Sequence, residues 1–304
     1  MYLIVGATGS LGGSVAKSLL AGGERVRVLV RPESPMRTMG RFTDPTELEE
    51  LGAELVAGDL KDPETITPHL AGVKAVLSTA SGTKRAPPDT IEAVDLNGTQ
   101  ALAAAAKRAG VEHFVYLSTR GAAPEAPAFL RVKWLTENAV RDSGPPATLV
   151  RPAPFMQDWI GFVLGAQLQG GTRVQLVGDD DPSRAYVHEA DVAKLVTAIL
   201  LEGPPADDDA PRVVEFSADV AVASDVVARM AAISGLPLTV ERIAIGERVD
   251  TVPEPVASTL TELLTMVAHM PDDTLVTTDV NRRYGLEPRG IDEFLAKMFA
   301  GQSS

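Results

Sequence analysis

The chain of 304 residues contains no cysteine, and this absence excludes several kinds of chemistry. Disulfide bonds, thiolate metal ligands and a cysteine nucleophile are all ruled out. Basic residues are also few, with 28 Lys and Arg against 41 Asp and Glu, for a formal net charge of −13. Nucleic acid and anionic membrane surfaces are therefore not expected as partners, because binding them needs clustered cations. The expected partners are a small-molecule substrate and, if the protein is a homodimer and not a monomer, a second copy of the chain.

Long apolar runs and metal-binding patterns are missing as well. No apolar stretch approaches the length of a membrane span, and no basic-then-apolar leader follows Met1, so we expect a cytoplasmic protein. The four histidines, at positions 69, 113, 188 and 269, have no partner at metal-ligand spacing, and no metal site is expected. The acidic runs 179–181 and 207–209 are interpreted as solvated loops, since they lack glycine-punctuated calcium-loop spacing.

What the sequence does contain is a regular alternation of short apolar runs with helical patterns. The apolar runs cover residues 2–5, 25–30, 54–57, 75–78, 113–118 and 147–150. Strands that are apolar throughout and separated by helices indicate a parallel sheet covered on both faces. We therefore predict an α/β fold, a doubly wound parallel (Rossmann) sheet, with a dinucleotide-binding domain over residues 1–155.

After residue 155 the alternation loosens, and residues 156–304 are predicted to form a smaller substrate-binding lobe. A strand is predicted near 213–216, and it belongs either to this lobe or to the main sheet. Ser224 is a suitable N-cap for a helix that runs to Ser234 and stops at Gly235.

A glycine-rich turn joins the first predicted strand to the first predicted helix. Glycines at this point let the backbone approach a pyrophosphate, and the helix N-terminus directs N–H groups towards it. The spacing is G-x-x-G-x-x-G, and its strand–turn–helix context favours a phosphate site over a purely structural turn. The candidate phosphate-binding residues are Gly6, Thr8, Gly9, Ser10, Leu11 and Gly12.

Further candidates follow the second, third and fourth strands. Arg31 suits the 2′-phosphate of NADP(H), where NAD-specific sites commonly have an acid; the alternative is an exposed loop arginine, and Arg37 lies near enough to assist. Asp59 is a candidate ligand of the adenine amine, or a helix cap, and Leu60 a candidate packing partner of the ring. The small residues Thr79, Ala80 and Ser81 leave room for a cofactor to cross the fourth strand. NADP(H) is therefore the predicted cofactor.

These residues resemble the short-chain dehydrogenase/reductase superfamily, specifically its atypical NmrA-like branch. Asn97, in the long alanine-rich helix predicted over residues 91–109, also fits the resemblance, as does the run from Phe114 to Ser118. The loop from Arg151 to Met156, the Tyr186-Val187-His188 segment and Tyr284-Gly285-Leu286 are similar too. The resemblance implies an NADP(H)-binding fold. The branch includes reductases of quinones, phenylpropanoid ethers and dyes, and also redox sensors without demonstrated catalysis.

The superfamily's usual catalytic pair is Tyr-x-x-x-Lys, with both side chains on one helix face. The matching positions here are Phe129 and Lys133, so the phenol that would donate a proton is missing. The resemblance implies that Lys133 binds the nicotinamide ribose. Ser118 is a candidate to bond a substrate oxygen or a water, and the alternative is an ordinary serine at the end of a strand. Pro152 and Phe155 are expected beside the nicotinamide, or else form a rigid connector with core contacts.

Three interpretations of the missing phenol remain open. Lys133 itself is the general acid or base, with a pKa lowered by burial. Alternatively, the acceptor takes a hydride without help from a protein acid and is then protonated by water, or the chain binds NADP(H) only as a sensor. The corresponding functions are an NADP(H)-dependent reductase of a small apolar, aromatic or quinone-like acceptor, a non-catalytic regulator, and, last, an epimerase-type cofactor-recycling enzyme.

The cofactor hypothesis makes a direct prediction for Arg31. Arg31→Ala should weaken NADP(H) binding much more than NAD(H) binding, because only NADP(H) carries the 2′-phosphate. Fluorescence titration with both nucleotides measures the two affinities. Equal losses would mean that Arg31 does not recognise the phosphate.

Overall fold

The computed structural model describes residues 1–31, 42–83, 89–206 and 210–300. Its strands, in chain order, are β1 (Tyr2–Val5), β2 (Val26–Val30), β3 (Glu54–Ala57), β4 (Ala75–Ser78), β5 (His113–Leu117), β6 (Ala147–Pro152), β7 (Arg173–Val177), β8 (Arg184–Tyr186), β9 (Arg212–Phe216), β10 (Asp219–Ala221) and β11 (Thr239–Ile243). Its α-helices are α1 (Ser10–Ala21), α2 (Pro45–Glu50), α3 (Thr99–Arg108), α4 (Ala128–Ser143), α5 (Glu189–Glu202), α6 (Ala223–Ser234), α7 (Val256–Ala268), α8 (Thr278–Tyr284) and α9 (Ile291–Ala300).

The central sheet has the strand order β3-β2-β1-β4-β5-β6-β9 among the described residues. The pairs from β3 through β6 are parallel, with Val5 of β1 opposite Leu29 of β2 on one side and Ser78 of β4 on the other. The chain order reverses between β1 and β4, and open parallel sheets bind ligands at such a point, beyond the carboxyl ends of the strands. The predicted α/β Rossmann class is confirmed.

The predicted elements of the nucleotide half lie close to the observed ones, because fully buried strands and amphipathic helices leave strong local patterns. The long helix predicted from residue 91 is different. It begins as a π-helix over Glu92–Gly98 and becomes α-helical only at Thr99. The i→i+5 bonding of a π-helix changes which residues share a face, and such segments are frequent at functional sites.

The chain divides into two compact units, Met1–Pro152 with Val192–Glu215, and Ala153–Asp191 with Phe216–Ser304. The core of the first unit contains the inward side chains of the sheet, including Leu3, Val76, Phe114 and Tyr116, together with alanines of α3. The second unit has its own core, built on the π-helix Gln157–Leu164 and on α6, α7 and α9.

Within the second unit, β7 and β11 form a parallel pair, and β8 and β10 form an antiparallel one. The expected capping role of Ser224 is wrong, since its backbone N–H lies inside the first turn of α6. The carboxylate of Asp181 accepts from the N–H groups of Ala223 and Ser224, at 3.0 and 3.1 Å. One residue of the first acidic run is thus a helix cap supplied from a distant loop.

Among the described residues, no helix is both long enough and apolar enough to cross a membrane.

The glycine-rich turn packs directly against the loop that follows β4. A Cβ at Gly6, where φ is +95°, would lie 2.5 Å from Thr79 Oγ1 and 2.8 Å from the backbone nitrogen of Ala80. A Cβ at Gly12 would lie 2.6 Å from the carbonyl oxygen of Gly6. Both positions therefore require glycine for lack of space, as expected for close packing of a first strand and helix.

We predict that Gly12→Ala destabilises the fold although alanine is the better helix former. The propensity gain is about 1 kcal/mol, whereas forcing a methyl against backbone costs about 1–3 kcal/mol. Gly22→Ala is the matched control, because a Cβ there meets its nearest atom, Leu19 O, at 3.4 Å. Thermal unfolding should show a lower Tm for Gly12→Ala and little change for Gly22→Ala. A Tm for Gly12→Ala at or above that of the wild type would contradict the packing argument.

Candidate functional site

The N-terminus of α1 has no side-chain cap and no acidic residue in its first turn. Gly9 is the N-cap residue, and its N–H donates to Gly6 O at 2.9 Å, which closes the turn. The next N–H groups, of Ser10, Leu11 and Gly12, have no acceptor earlier in the helix. An uncapped helix end with a glycine cradle too tight for any Cβ fits the pyrophosphate of a dinucleotide.

Thr8 and the loop after β4 complete this edge of the sheet. The carbonyl of Thr8 accepts from Thr43 N–H at 3.1 Å, so the segment after residue 42 crosses the turn. Thr79 N–H donates to Val5 O, and Thr79 is partly exposed. Ala80 is buried in the core, whereas Ser81 is partly exposed and its hydroxyl bonds that of Thr83 at 2.7 Å. The predicted residues therefore converge on the carboxyl ends of β1 and β4.

The candidates for the adenosine end lie in an ion cluster beyond β2 and β3. Arg31 Nη1 lies 2.6 Å from Asp89 Oδ2, and Lys61 Nζ lies 2.5 Å from Asp89 Oδ1. Lys61 also pairs with Asp59 at 2.9 Å. The side chain of Asp89 is 4% exposed. Burial opposes its ionisation, but hydrogen bonds from Lys61 and Arg31 prevail and lower the pKa of Asp89 to about 2.

Leu60 does not face solvent as a ring-stacking residue would. It is 6% exposed and packs in the core of the first unit, where a Cβ on Gly98 would lie 2.8 Å from the Leu60 Cβ. Arg37 falls outside the described residues.

Lys133 is held in a buried ion pair that sequence reasoning missed. Its Nζ lies 3.0 Å from Oδ1 of Asp95, a residue of the π-helix, and donates to the carbonyl of Leu117 at 3.3 Å. The side chains of Lys133 and Asp95 are 7% and 0% exposed. The other Asp95 oxygen accepts from Gly82 N–H at 2.7 Å. One carboxylate thus fixes both the lysine and the loop after β4.

The neighbours of Lys133 shift its pKa in the direction opposite to that of burial alone. Burial alone disfavours the ammonium, but the neighbouring Tyr116 and Asp95 outweigh it and raise the pKa of Lys133 above its ordinary 10.5. The raised pKa argues against the interpretation in which burial lowers the pKa of Lys133 and makes it the general acid or base. Burial is also the main reason that the pKa of Tyr116 is raised. The pairing with Asp95 stabilises the charged form of Lys133.

In the helix predicted over residues 91–109, the residue that contacts Lys133 is Asp95 and not Asn97. Asn97 is exposed, whereas Asp95 is fully buried. Both stand in the π-helix, where i→i+5 bonding makes an inference from ordinary helical spacing unreliable. The only sequence signal was an acidic residue within an otherwise apolar helix face.

Ser118 follows β5 directly, next to the carbonyl that Lys133 contacts. It is 4% exposed, and its hydroxyl is buried without a hydrogen-bond partner among the described residues. Phe129 lies on the same face of α4 as Lys133, with its ring centroid 5.8 Å from Nζ. The Tyr116 ring centroid lies 5.1 Å from the same atom, and Tyr116 is fully buried. The ammonium therefore lies between two aromatic rings, and Ser118 follows the residue whose carbonyl it contacts.

The loop after β6 begins in the first unit. Pro152 is buried, and its carbonyl accepts from Arg120 N–H at 3.0 Å. Arg151 forms a bidentate ion pair with Glu137 of α4, with distances of 2.8 and 2.5 Å. The end of β6 is thereby tied to the helix that carries Lys133.

The remaining candidates belong to the second unit. Phe155 is partly exposed and forms a bridge to Val187. Tyr186 is 5% exposed, and burial raises its pKa to about 12. Its phenol is therefore a poor source of protons at neutral pH. Within the described residues, no group of three or more His, Asp or Glu side chains could hold a metal ion.

Comparison with known proteins places the chain in a family. A model of the NmrA-like family matches residues 2–295. The chain belongs to the NmrA-like family. Its curated relatives include the photosystem II assembly factor Ycf39 of Cyanophora paradoxa, 30% identical over 200 residues, which are 66% of this chain and 59% of that protein. Another is the NAD(P)H azoreductase of Xenophilus azovorans, 34% identical over 172 residues, 56% of this chain and 54% of that one. The chain thus matches little more than half the length of these relatives.

Solved structures share the fold over nearly the whole chain. The Citrobacter triphenylmethane reductase complexed with NADP(H) superposes with a TM-score of 0.75 at 20% identity, covering 97% of this chain and 98% of that one. The Escherichia coli NADPH-dependent quinone oxidoreductase complexed with NADPH has a TM-score of 0.74 at 21% identity, covering 98% and 100%. At these identities the likeness establishes the fold alone.

We predict strong energetic coupling between Lys133 and Asp95. Lys133→Met and Asp95→Asn should each cost about 3–5 kcal/mol of unfolding free energy. The first variant leaves the buried Asp95 carboxylate without its cation, and the second leaves the buried Lys133 ammonium without its anion. The double variant should cost less than the sum of the two, by about 1–3 kcal/mol. Urea unfolding of the four proteins measures the cycle.

An exposed ion pair of the same unit provides the control. Lys17 and Glu47 lie 2.6 Å apart with side chains 37% and 51% exposed. Lys17→Met should change the unfolding free energy by at most about 1 kcal/mol. Additive losses at Lys133 and Asp95 would show that the two charges are independent.

Proposed function

We propose that this chain binds NADP(H) and reduces a small apolar, aromatic or quinone-like acceptor by hydride transfer. Gly6, Gly9 and Gly12, with the N–H groups of Ser10 and Leu11, bind the pyrophosphate. Arg31 binds the 2′-phosphate, and Thr79 and Ser81 line the path of the cofactor. The uncapped helix N-terminus and the glycine contacts support this assignment.

The observations that carry the proposed reaction are the buried Lys133, paired with Asp95, and the buried Ser118 hydroxyl, which has no hydrogen-bond partner among the described residues. Bound NADPH supplies the hydride. Lys133 holds a positive charge at the end of β5 and orients a ribose hydroxyl, while Ser118 donates a hydrogen bond to an acceptor oxygen. With its pKa raised, Lys133 does not release a proton at neutral pH.

This arrangement favours acceptors that need no protein acid. Phe129 has no proton to give, and Tyr116 is fully buried with a raised pKa. A quinone-like or cationic acceptor can take a hydride and obtain any proton from water. The names of the reductase relatives and neighbours refer to azo compounds, triphenylmethane and quinones, which is consistent with such acceptors.

The test combines binding with turnover. NADPH and NADH binding is measured by fluorescence titration, and NADPH absorbance is then followed with quinones and cationic dyes between pH 6 and 9. We expect tighter NADPH binding, turnover that is nearly independent of pH, and a lower kcat in Ser118→Ala. Phe129→Tyr supplies the missing phenol. Its kcat with quinones should stay within about threefold of the wild-type value, since such a hydride transfer needs no general acid.

Two results would contradict this proposal. Activity that falls as pH rises across this range would indicate that Lys133 or another group acts as a general acid with a pKa in this range. Tight NADPH binding without turnover on any acceptor would exclude the reductase.

A second candidate is an NADP(H)-binding regulator that acts through a partner protein. The replacement of the catalytic phenol by Phe129 favours it, as does the relatedness to proteins named Ycf39 assembly factors. For this candidate the expected outcome is NADPH binding without turnover, together with binding to a partner protein that changes when NADPH is added.

A further inference from the structure

Two cations converge on the two oxygens of one buried carboxylate in the first unit. Arg31 Nη1 lies 2.6 Å from one oxygen of Asp89, and Lys61 Nζ lies 2.5 Å from the other. We call these three residues the Asp89 cluster. Neither cation is buried as deeply as the acid, since the side chains of Arg31 and Lys61 are 14% and 30% exposed against 4% for Asp89.

The cluster is assembled from three separate parts of the chain at one edge of the sheet. Arg31 follows β2, Lys61 follows β3, and Asp89 belongs to the connection between β4 and the π-helix. β2 and β3 are adjacent in the sheet, with Val30 opposite Ala57. Carboxyl ends of neighbouring parallel strands lie about 5 Å apart, so the two cations are presented side by side beyond the strands.

Such a pair of cations matches a phosphate better than a carboxylate. A phosphate monoester carries about −1.5 to −2 charges at pH 7 and three acceptor oxygens. A carboxylate carries one charge and two oxygens. Arginine and lysine each form short, charge-assisted bonds to phosphate oxygens, arginine as a fork and lysine as a point charge. The cluster therefore has the composition of a phosphate site that is filled by an internal anion.

We propose that Lys61 is a second ligand of the cofactor's 2′-phosphate and that Asp89 stands in the place of that phosphate in its absence. The inference rests on the proposed binding of NADP(H). Asp89 keeps Arg31 and Lys61 together before the cofactor arrives, and it competes with the phosphate for both of them. A ribose 2′-hydroxyl, by contrast, does not displace the carboxylate. Asp89 therefore limits how strongly the chain prefers NADP(H) over NAD(H).

The competition gives opposite effects for the two variants. Asp89→Asn removes the competing charge and should tighten the binding of adenosine 2′,5′-bisphosphate by about tenfold. Lys61→Met removes a charge-assisted bond, which is worth about 1.5–3 kcal/mol, and so should weaken the binding of the same probe by about 10- to 100-fold. The affinity for adenosine 5′-monophosphate should stay within about threefold in both variants.

Isothermal titration with the two adenosine phosphates, at fixed ionic strength, measures these affinities without any turnover. Lys107→Met is the matched control, because it removes one exposed lysine of α3 in the same unit. It should change neither affinity by more than about twofold. Lys61 is exposed, and its side chain pairs with Asp59 and Asp89, so Lys61→Met should fold even if Asp89→Asn does not.

The outcomes separate this inference from the proposed function. If Asp89→Asn weakens the binding of the bisphosphate, as Lys61→Met does, then Asp89 positions the cations and does not compete with the phosphate. That result overturns the inference. It is also overturned if the bisphosphate preference of the wild type persists unchanged in both variants. A wild-type chain with no preference for the bisphosphate over the monophosphate would instead contradict the proposed NADP(H) site itself.

Discussion

Neither Gly6 nor Gly12 has room for a side chain, because a Cβ on either would lie less than 3 Å from atoms of the backbone and of Thr79. This close approach brings the turn after β1 against the loop after β4, at the point where the strand order reverses. This contact sets the geometry of that edge of the first unit, where the N-terminus of α1 lies without a side-chain cap. A single methyl group at either position would separate elements that the site needs together.

Two buried carboxylates then organise the charges of the first unit, in different ways. Asp95 is fully buried and binds both Lys133 and the Gly82 N–H, which leaves the lysine charged and immobile. Removing either charge would leave the other unpaired in a low-dielectric interior, so breaking the ion pair would destabilise the fold. Asp89 is buried too, but its two cations come from partly exposed positions. A stronger anion can reach such cations, whereas Lys133, the cation that pairs with Asp95, is buried.

The pairing of Lys133 with Asp95 bears on the interpretations of the missing phenol. A lysine that acts as a base must lose its proton near neutral pH, which requires burial without an anionic partner. Asp95 supplies that partner, and the pKa of Lys133 is raised. An enzyme with this site would depend on an acceptor that is reactive towards hydride, since neither Phe129 nor the buried Tyr116 offers a ready proton. Family membership is compatible with this chemistry and with a regulatory role, because the relatives include a reductase and assembly factors by name.

The amino-acid sequence by itself determined the fold class, the strands of the nucleotide half and the position of the phosphate turn. These features depend on local patterns: apolar runs, helical spacing, and glycines between a strand and a helix. The tertiary structure decided which polar residues meet. Asp95 and Lys133 are 38 positions apart and Arg31 and Asp89 are 58 apart, and no local pattern specifies such pairs. Asp95 lies in a π-helix that the sequence pattern did not predict, and Asp181 caps a helix 42 residues away. Each of these contacts exists because the sheet and the packed helices bring distant segments together, and that proximity is a property of the whole fold.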